Sequence, residues 1–295
     1  MKIGLLGTGK MGSAIVERLI NCGHELVIWN RSIEKTVPLL AKGADVALTP
    51  AQLVDQSEII ISILTDADAI DACYRGSEGV FSTNIQGKLF IEMSTVRPVT
   101  AIAISQETQA KGGAMIDCPV GGTVGPARDG KLLGLVGGRD EDVAKAQPIL
   151  DQLCRRVEHV GPSGSGVRLK LTVNLPLLVF WQSFSEALSL SAKLNIAPER
   201  LIDILTDTSG APNMLKARTP ALVSTLKGEP QPAAAFTLDN IRKDLRTMIE
   251  EAQSNGWDLP VTQAALAQLN KTSEAGLGEM DGTSVPAWFI KTHCK

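Results

Sequence analysis

The sequence predicts an α/β protein in two parts: a doubly wound parallel-sheet domain over residues 1–163, and a helical domain over residues 164–295 that opens with one long helix. Three observations carry this. The chain has 295 residues, more than one hydrophobic core usually serves. Short β-rich runs alternate with helical patterns as far as about Gly161, which is the pattern of a doubly wound sheet. Beyond "GPSGSG" no convincing strand appears, and helical segments follow one another.

In chain order, "KIGLLG", "ELVIWN", "ADVAL", "EIIISIL", "GKLFIEM", "AMIDCPV", "KLLGLVGG" and "RVEHVG" read as strands. Several are continuous apolar runs, as strands covered on both faces are. Helical stretches lie between many of them, such as "MGSAIVERLINC", ended by Gly23, and "DEDVAKAQPILDQLC". The second part carries helical patterns over Val167–Leu194, Pro198–Thr208, Leu238–Asn255, Pro260–Glu274 and about Val285–His293. The first of these is apolar almost all round, so it predicts a buried helix. Pro176 inside it removes an N–H donor and predicts a kink. Lys170 and Asn174 lie four apart on one face of this helix. A lysine in such a place needs a partner or a task.

Composition narrows the function classes. The formal net charge is −3 with no basic block, which argues against nucleic acid as a partner. No run has the uninterrupted apolar length of a membrane span, and "MKIGLLGTGK" lacks a signal peptide's layout. The five cysteines are scattered without CxxC spacing, so no metal cluster or disulfide framework is expected, and a reducing cytoplasm is.

Chemistry first shows in "GLLGTGKMGSA". Gly7, Gly9 and Gly12 form G-x-G-x-x-G directly after an apolar strand and at the start of a helix, the dinucleotide-binding arrangement of a Rossmann domain. Gly7 permits the tight turn, Gly9 lets backbone approach a pyrophosphate, and Gly12 allows close helix–strand packing. Lys10 and Met11 stand in the helix's first turn, whose N–H groups and positive dipole face the phosphates. At the end of the second strand an NAD-preferring site carries Asp or Glu. Here the residues are Asn30, Arg31 and Ser32. A guanidinium grips a 2′-phosphate and a serine hydroxyl donates to it, whereas a carboxylate would repel it. The expected cofactor is NADP(H).

Further motifs follow. "FIEMST" ends a strand with Ser94 and Thr95, where α/β sheets place ligand groups. "DCPVGGTVGPARDGKL" supplies the turn Gly121, Gly122 and Thr123, and "IRKDLRTMIEEA" places Lys243 and Asp244 on a late helix. With Gly164, Gly166, Lys170 and Asn174 as G-x-G-x-x-x-K-x-x-x-N, then Leu259–Pro260 and Asp281–Thr283, the ordered set resembles the β-hydroxyacid dehydrogenase family nearly end to end. That family includes 3-hydroxyisobutyrate dehydrogenase. "NRS" and "SGAPNMLK" look most like its NADPH-dependent glyoxylate and succinic semialdehyde reductase branch.

The resemblance implies a long interdomain helix that brings Lys170 to the substrate oxygen beside the nicotinamide. Lys170 would be the general acid/base, with Asn174 orienting it or bonding the substrate. It implies that Ser94, Thr95 and the 121–123 turn line the substrate pocket, and that Lys243 lies near the nicotinamide or the substrate. Phe236 would wall the pocket, and Leu64 and Thr65 would border the nicotinamide ribose. The implied reaction is NADPH-dependent reduction of a small aldehyde or keto acid, reversible as a 3-hydroxyacid dehydrogenation, in a homodimer or homotetramer.

Departures matter. Gly121 stands where the family has a carboxylate-binding serine, and Thr123 where it has a second glycine. Leu175 replaces a second asparagine. The sulfolactaldehyde reductase branch has an arginine where this chain has Gly122, so a sulfonate is less favoured. The imine reductase branch generally lacks the lysine, so Lys170 speaks against it. Lys170 also speaks against a catalytically silent nucleotide-binding scaffold.

Overall fold

A computed structural model describes residues 2–231 and 233–294, and these divide into two compact units, Met1–Thr172 and Val173–Lys295. The first unit begins with β1 (Lys2–Leu6), α1 (Lys10–Asn21), β2 (Glu25–Trp29), α2 (Val37–Leu40), β3 (Asp45–Val46) and α3 (Pro50–Asp55). It continues through β4 (Ile59–Ser62), α4 (Ala67–Arg75), β5 (Leu89–Glu92), α5 (Pro98–Ala110) and β6 (Ala114–Asp117). The six strands form one parallel sheet in the order β3-β2-β1-β4-β5-β6. The order reverses between β1 and β4, the switch point where such sheets bind ligands.

The continuous apolar runs are explained by the two cores. Ile3, Leu5, Ile28, Ile61, Ile91 and Ile116 pack in one cluster, while Leu6, Val27, Ile60, Phe90 and Met115 pack in the other. Successive strand residues point to opposite faces, so a sheet covered on both sides needs apolar residues throughout. α1 stops where Gly23 adopts φ 87°. There the N–H groups of Gly23 and His24 close on the carbonyls of Ile20 and Leu19 at 2.9 and 3.1 Å, a Schellman termination.

The run "AMIDCPV" is not one strand. It divides at Cys118–Pro119 into β6 and β7 (Val120–Gly121), and β7 opens a second sheet. That sheet adds β8 (Leu132–Val136), antiparallel to β7, and β9 (Cys154–His159), parallel to β8. α6 (Val124–Arg128) and α7 (Asp140–Leu153) connect them. The switch occurs at Asp117, which exchanges both backbone hydrogen bonds with Gly137, at 2.9 and 2.8 Å. Pro119 has no N–H to continue the first ladder.

α8 (Ser165–Leu190) runs as one element with Pro176 inside it. The division between the two compact units falls within it, at Thr172–Val173. Its first turns belong to the first unit because Val167 packs with Ile104, Ala101 and Met115. Pro176, having no N–H, leaves the Thr172 carbonyl without its helical donor.

The second unit holds the rest of α8 with α9 (Pro198–Thr206), α10 (Asn213–Leu226), α11 (Leu238–Ser254), α12 (Pro260–Thr272) and α13 (Ser284–His293). α10 is a helix that the sequence pattern does not announce. Its buried anchors, Leu215 and Leu222, join Phe184, Leu188 and Ile202 in one cluster, so α9 and α10 pack on the C-terminal turns of α8. Among the described residues no helix is long and apolar enough to cross a membrane.

Candidate functional site

The glycine loop has the geometry its spacing implies. Gly7 sits at φ 101°, and its N–H bonds the Trp29 carbonyl at 2.9 Å. A Cβ on Gly12 would lie 1.9 Å from the Gly7 carbonyl oxygen, whereas a Cβ on Gly9 would meet nothing within 4 Å. Gly9 caps α1 without a side chain, and the helical bonding begins at Ser13, whose N–H reaches Gly9 at 2.8 Å. The amides of Lys10, Met11 and Gly12 precede that bond. The buried Thr8 hydroxyl has no hydrogen-bond partner among the described residues. Open space, first-turn donors and an unpartnered hydroxyl fit a dinucleotide's phosphates.

Asn30 shapes this loop. Its Oδ1 accepts the Thr8 N–H at 3.0 Å and its Nδ2 donates to the Ser32 carbonyl at 2.9 Å. Both ends of the amide are thus used in holding the strand end against the glycine loop. Arg31, next along the chain, is exposed, and Ser32 is half-buried.

The ends of β4 and β5 are tied together. The Leu64 N–H donates to Ser94 Oγ at 2.7 Å. Ser94 is buried, Thr95 and Leu64 are half-buried and Thr65 is exposed. Ser94 therefore acts on this edge by holding the Leu64–Thr65 loop, and Thr95 stands beside it nearer the surface. Behind Ser94 lies Glu92, fully buried, whose Oε1 accepts the Ser94 N–H at 2.6 Å.

On the second sheet, Gly122 has φ 128°. Gly122 and Thr123 are exposed, and Thr123 caps α6 without a side-chain hydrogen bond. The turn therefore presents backbone donors and a hydroxyl outward, as an anion-binding nest does.

α8 begins under a clamp. Asp117 Oδ1 accepts the Gly164 N–H at 2.6 Å and Oδ2 accepts the Val167 N–H at 2.9 Å. Lys170, in the first unit, and Asn174, in the second, follow one helical turn apart, and both are buried. In the second unit Asn174 Nδ2 lies 3.5 Å from Asp244 Oδ2, and Asp244 Oδ1 lies 2.7 Å from Lys243 Nζ. The unit thus gathers Asn174, Lys243 and Asp244. Phe236 is half-buried on a loop held by Asp281, whose Oδ2 accepts the N–H groups of Ala235 and Phe236 at 3.1 and 3.5 Å and pairs with Arg218 at 3.0 Å.

Four carboxyls, Glu92, Asp117, Asp244 and Asp281, carry positioning work that the sequence reading assigns to none of them. Glu92 had a signal: an acid inside an otherwise apolar strand. The other three lie in motifs whose neighbouring residues carry the recognisable chemistry.

Comparison with known proteins gives two family models that succeed one another along the chain. The NAD binding domain of 6-phosphogluconate dehydrogenase matches residues 2–161, and the NAD-binding domain of NADP-dependent 3-hydroxyisobutyrate dehydrogenase matches residues 164–288. The chain is 31% identical over 285 residues to glyoxylate/succinic semialdehyde reductase 1 of Arabidopsis thaliana, covering 97% of each. It is 31% identical over 283 residues to the 3-sulfolactaldehyde reductase of Escherichia coli, covering 96% of this chain and 94% of that one. Among solved structures, 3-hydroxyisobutyrate dehydrogenase from Salmonella typhimurium superposes with a TM-score of 0.86 at 22% identity, over 97% of this chain and 99% of that one.

Proposed function

This chain belongs to the β-hydroxyacid dehydrogenase family of NAD(P)-dependent oxidoreductases, and on that premise we propose that it uses NADPH to reduce a small aldehyde or keto acid to the hydroxyacid. The observation that carries the reading is Lys170, a buried lysine on α8 one turn before Asn174. A bound nicotinamide supplies the hydride. The chain supplies the rest. Lys170 gives a proton from Nζ to the substrate oxygen in reduction and takes the hydroxyl proton in oxidation. Asn174, held by Asp244, orients the group beside it. The 121–123 turn receives the substrate's acid group on backbone N–H donors, and Arg31 and Ser32 receive the 2′-phosphate.

A panel of carbonyl substrates run with NADPH and NADH side by side tests this. Glyoxylate, succinic semialdehyde or a related small carbonyl acid is expected to be reduced with NADPH preferred. Failure to oxidise NADPH with any of them overturns the proposal.

The 121–123 turn argues against a sulfonate-binding arginine. A Cβ on Gly122 would lie 2.8 Å from Leu132 Cδ2, at a φ of 128°. Gly122→Arg is therefore expected to cost about 1–3 kcal/mol of stability, read as a lower thermal midpoint. A Cβ on Gly121 would meet Leu133 at 3.4 Å, an ordinary contact. Gly121→Ser is expected to leave the midpoint unchanged and to lower KM for a carboxylate substrate, since it adds a hydroxyl donor. A Gly122→Arg variant as stable as the parent would remove this argument against the sulfonate.

A further inference from the structure

Three polar residues stand side by side across the carboxyl ends of three central strands. Ser62 on β4 is in register with Glu92 on β5, and Glu92 with Asp117 on β6. All three are buried at the level where the parallel sheet ends. We propose that Ser62, Glu92 and Asp117 form one buried rail that positions both the Leu64–Ser94 edge and the amine of Lys170, with Glu92 and Asp117 as positioning residues. This rests on the reading of Lys170 as the proton donor.

One end of the rail acts on the strand loops. Ser62 Oγ bonds the Glu92 carboxyl and, at 2.8 Å, the hydroxyl of the buried Tyr74 on α4. Glu92 Oε1 accepts the Ser94 N–H, and Ser94 Oγ accepts the Leu64 N–H. The path Tyr74–Ser62–Glu92–Ser94–Leu64 therefore ties α4 and β4 to the loop after β5.

The other end acts on the helix. Asp117 takes amides from the start of α8 across a sequence separation of 47 and 50 residues. The backbone is shaped to admit it. A Cβ on Gly166 would lie 2.9 Å from Asp117 Oδ2, and one on Gly137 would lie 2.6 Å from Asp117 Oδ1. Gly166 and Val167 stand four and three residues before Lys170, on the same helix face. Fixing them fixes the azimuth at which Lys170 leaves the helix.

The two carboxyls are chemically unequal. Asp117 faces amide donors that favour its charge, although burial raises it above its ordinary value. Burial raises Glu92 further, up to about 7, with the neighbouring Asp117 charge as a smaller contribution. Around Glu92 the titratable groups are Cys73 and Tyr74 on α4, both driven up first by burial and then by the Glu92 charge, and Asp117 on β6. Ser62 Oγ and the Ser94 N–H both donate to the Glu92 carboxyl and favour its charge, whereas burial favours the neutral form, which spares the rail a second negative charge. Ionisation of Glu92 near neutrality places a second buried negative charge beside Asp117.

Two variants test this in the full chain. Asp117→Asn turns an amide nitrogen toward N–H donors, so kcat is expected to fall about 10- to 100-fold with the dissociation constant for NADPH unchanged. Amide hydrogen exchange at Gly164 and Val167 is expected to quicken while that of α1 stays the same. Wild-type kcat, or unchanged exchange at Gly164 and Val167, overturns the role of Asp117. Glu92→Gln keeps an oxygen for the Ser94 N–H, turns its amide N–H toward Ser62 Oγ, whose hydroxyl can then donate to Tyr74, and cannot ionise, which also covers the case in which Asp117→Asn fails to fold.

With Glu92→Gln, kcat is expected to lose an ionisation near pH 7, and carbon-13 spectra to lose one carboxyl titrating there. The sign for stability is definite: a raised acid binds its proton more tightly when folded. The parent therefore loses stability relative to Glu92→Gln as pH rises from 4.5 to about 7. Coincident pH profiles for parent and variant overturn the role of Glu92. Exchange, carboxyl titration and stability need no turnover, so their failure is distinct from failure of the carbonyl-reduction reading.

Discussion

Lys170→Met is expected to lower turnover by about 10²–10⁴-fold, the range for loss of a positioned general acid, while NADPH binds as before. Methionine has a flexible, unbranched side chain, fills the lysine's buried volume and carries no proton to give. The nucleotide loop is built from residues 7–12 and 30–32, held by the Gly7–Trp29, Thr8–Asn30 and Asn30–Ser32 hydrogen bonds, so the dissociation constant for NADPH is expected to stay within about twofold. Stopped-flow single turnovers separate the chemical step from binding. Unchanged single-turnover rates would remove Lys170 from the chemistry and leave the chain as a nucleotide binder with a buried structural lysine.

What could be read from the sequence was what is local. The glycine loop was legible because Gly7, Gly9 and Gly12 act on one another and on the strand before them. Gly23 announced the end of α1 for the same reason. α10 was not legible, because Pro220 interrupts its pattern and its two fully buried anchors are seven residues apart. The division of "AMIDCPV" between two sheets depends on Gly137, a residue twenty positions away, accepting Asp117 as a partner. The buried carboxyls were hardest. Asp117 meets its donors about fifty residues later, and Asp244 meets Asn174 seventy residues earlier. An acid whose purpose is supplied from so far along the chain looks, in sequence, like any other acid. Asn30 shows the same limit over a shorter span: the sequence marks where the residue stands, whereas its bond to Thr8 explains why an amide is kept there.

Arg31→Ala is expected to weaken NADPH binding roughly tenfold to a hundredfold, the worth of a charge-assisted hydrogen bond of about 1.5–3 kcal/mol, and to leave NADH binding nearly unchanged. Arg31 is exposed at the carboxyl end of β2, and no carboxylate follows the strand directly to oppose a phosphate. Asn30 does not duplicate the role, because both ends of its amide are bound within the loop. That arrangement makes a second substitution informative. Asn30→Asp retains an oxygen for the Thr8 N–H and gives the strand end a second acceptor in place of Nδ2, the group NAD-preferring sites direct at the ribose 2′-hydroxyl. In the Arg31→Ala background it is expected to improve KM for NADH and to worsen KM for NADPH further through charge repulsion. The ratio of kcat/KM for the two cofactors, measured across the parent, single and double variants, reads this directly. A ratio that does not move with Arg31 would place the 2′-phosphate elsewhere, and a parent ratio favouring NADH by a hundredfold would overturn the assignment of NADPH to this chain.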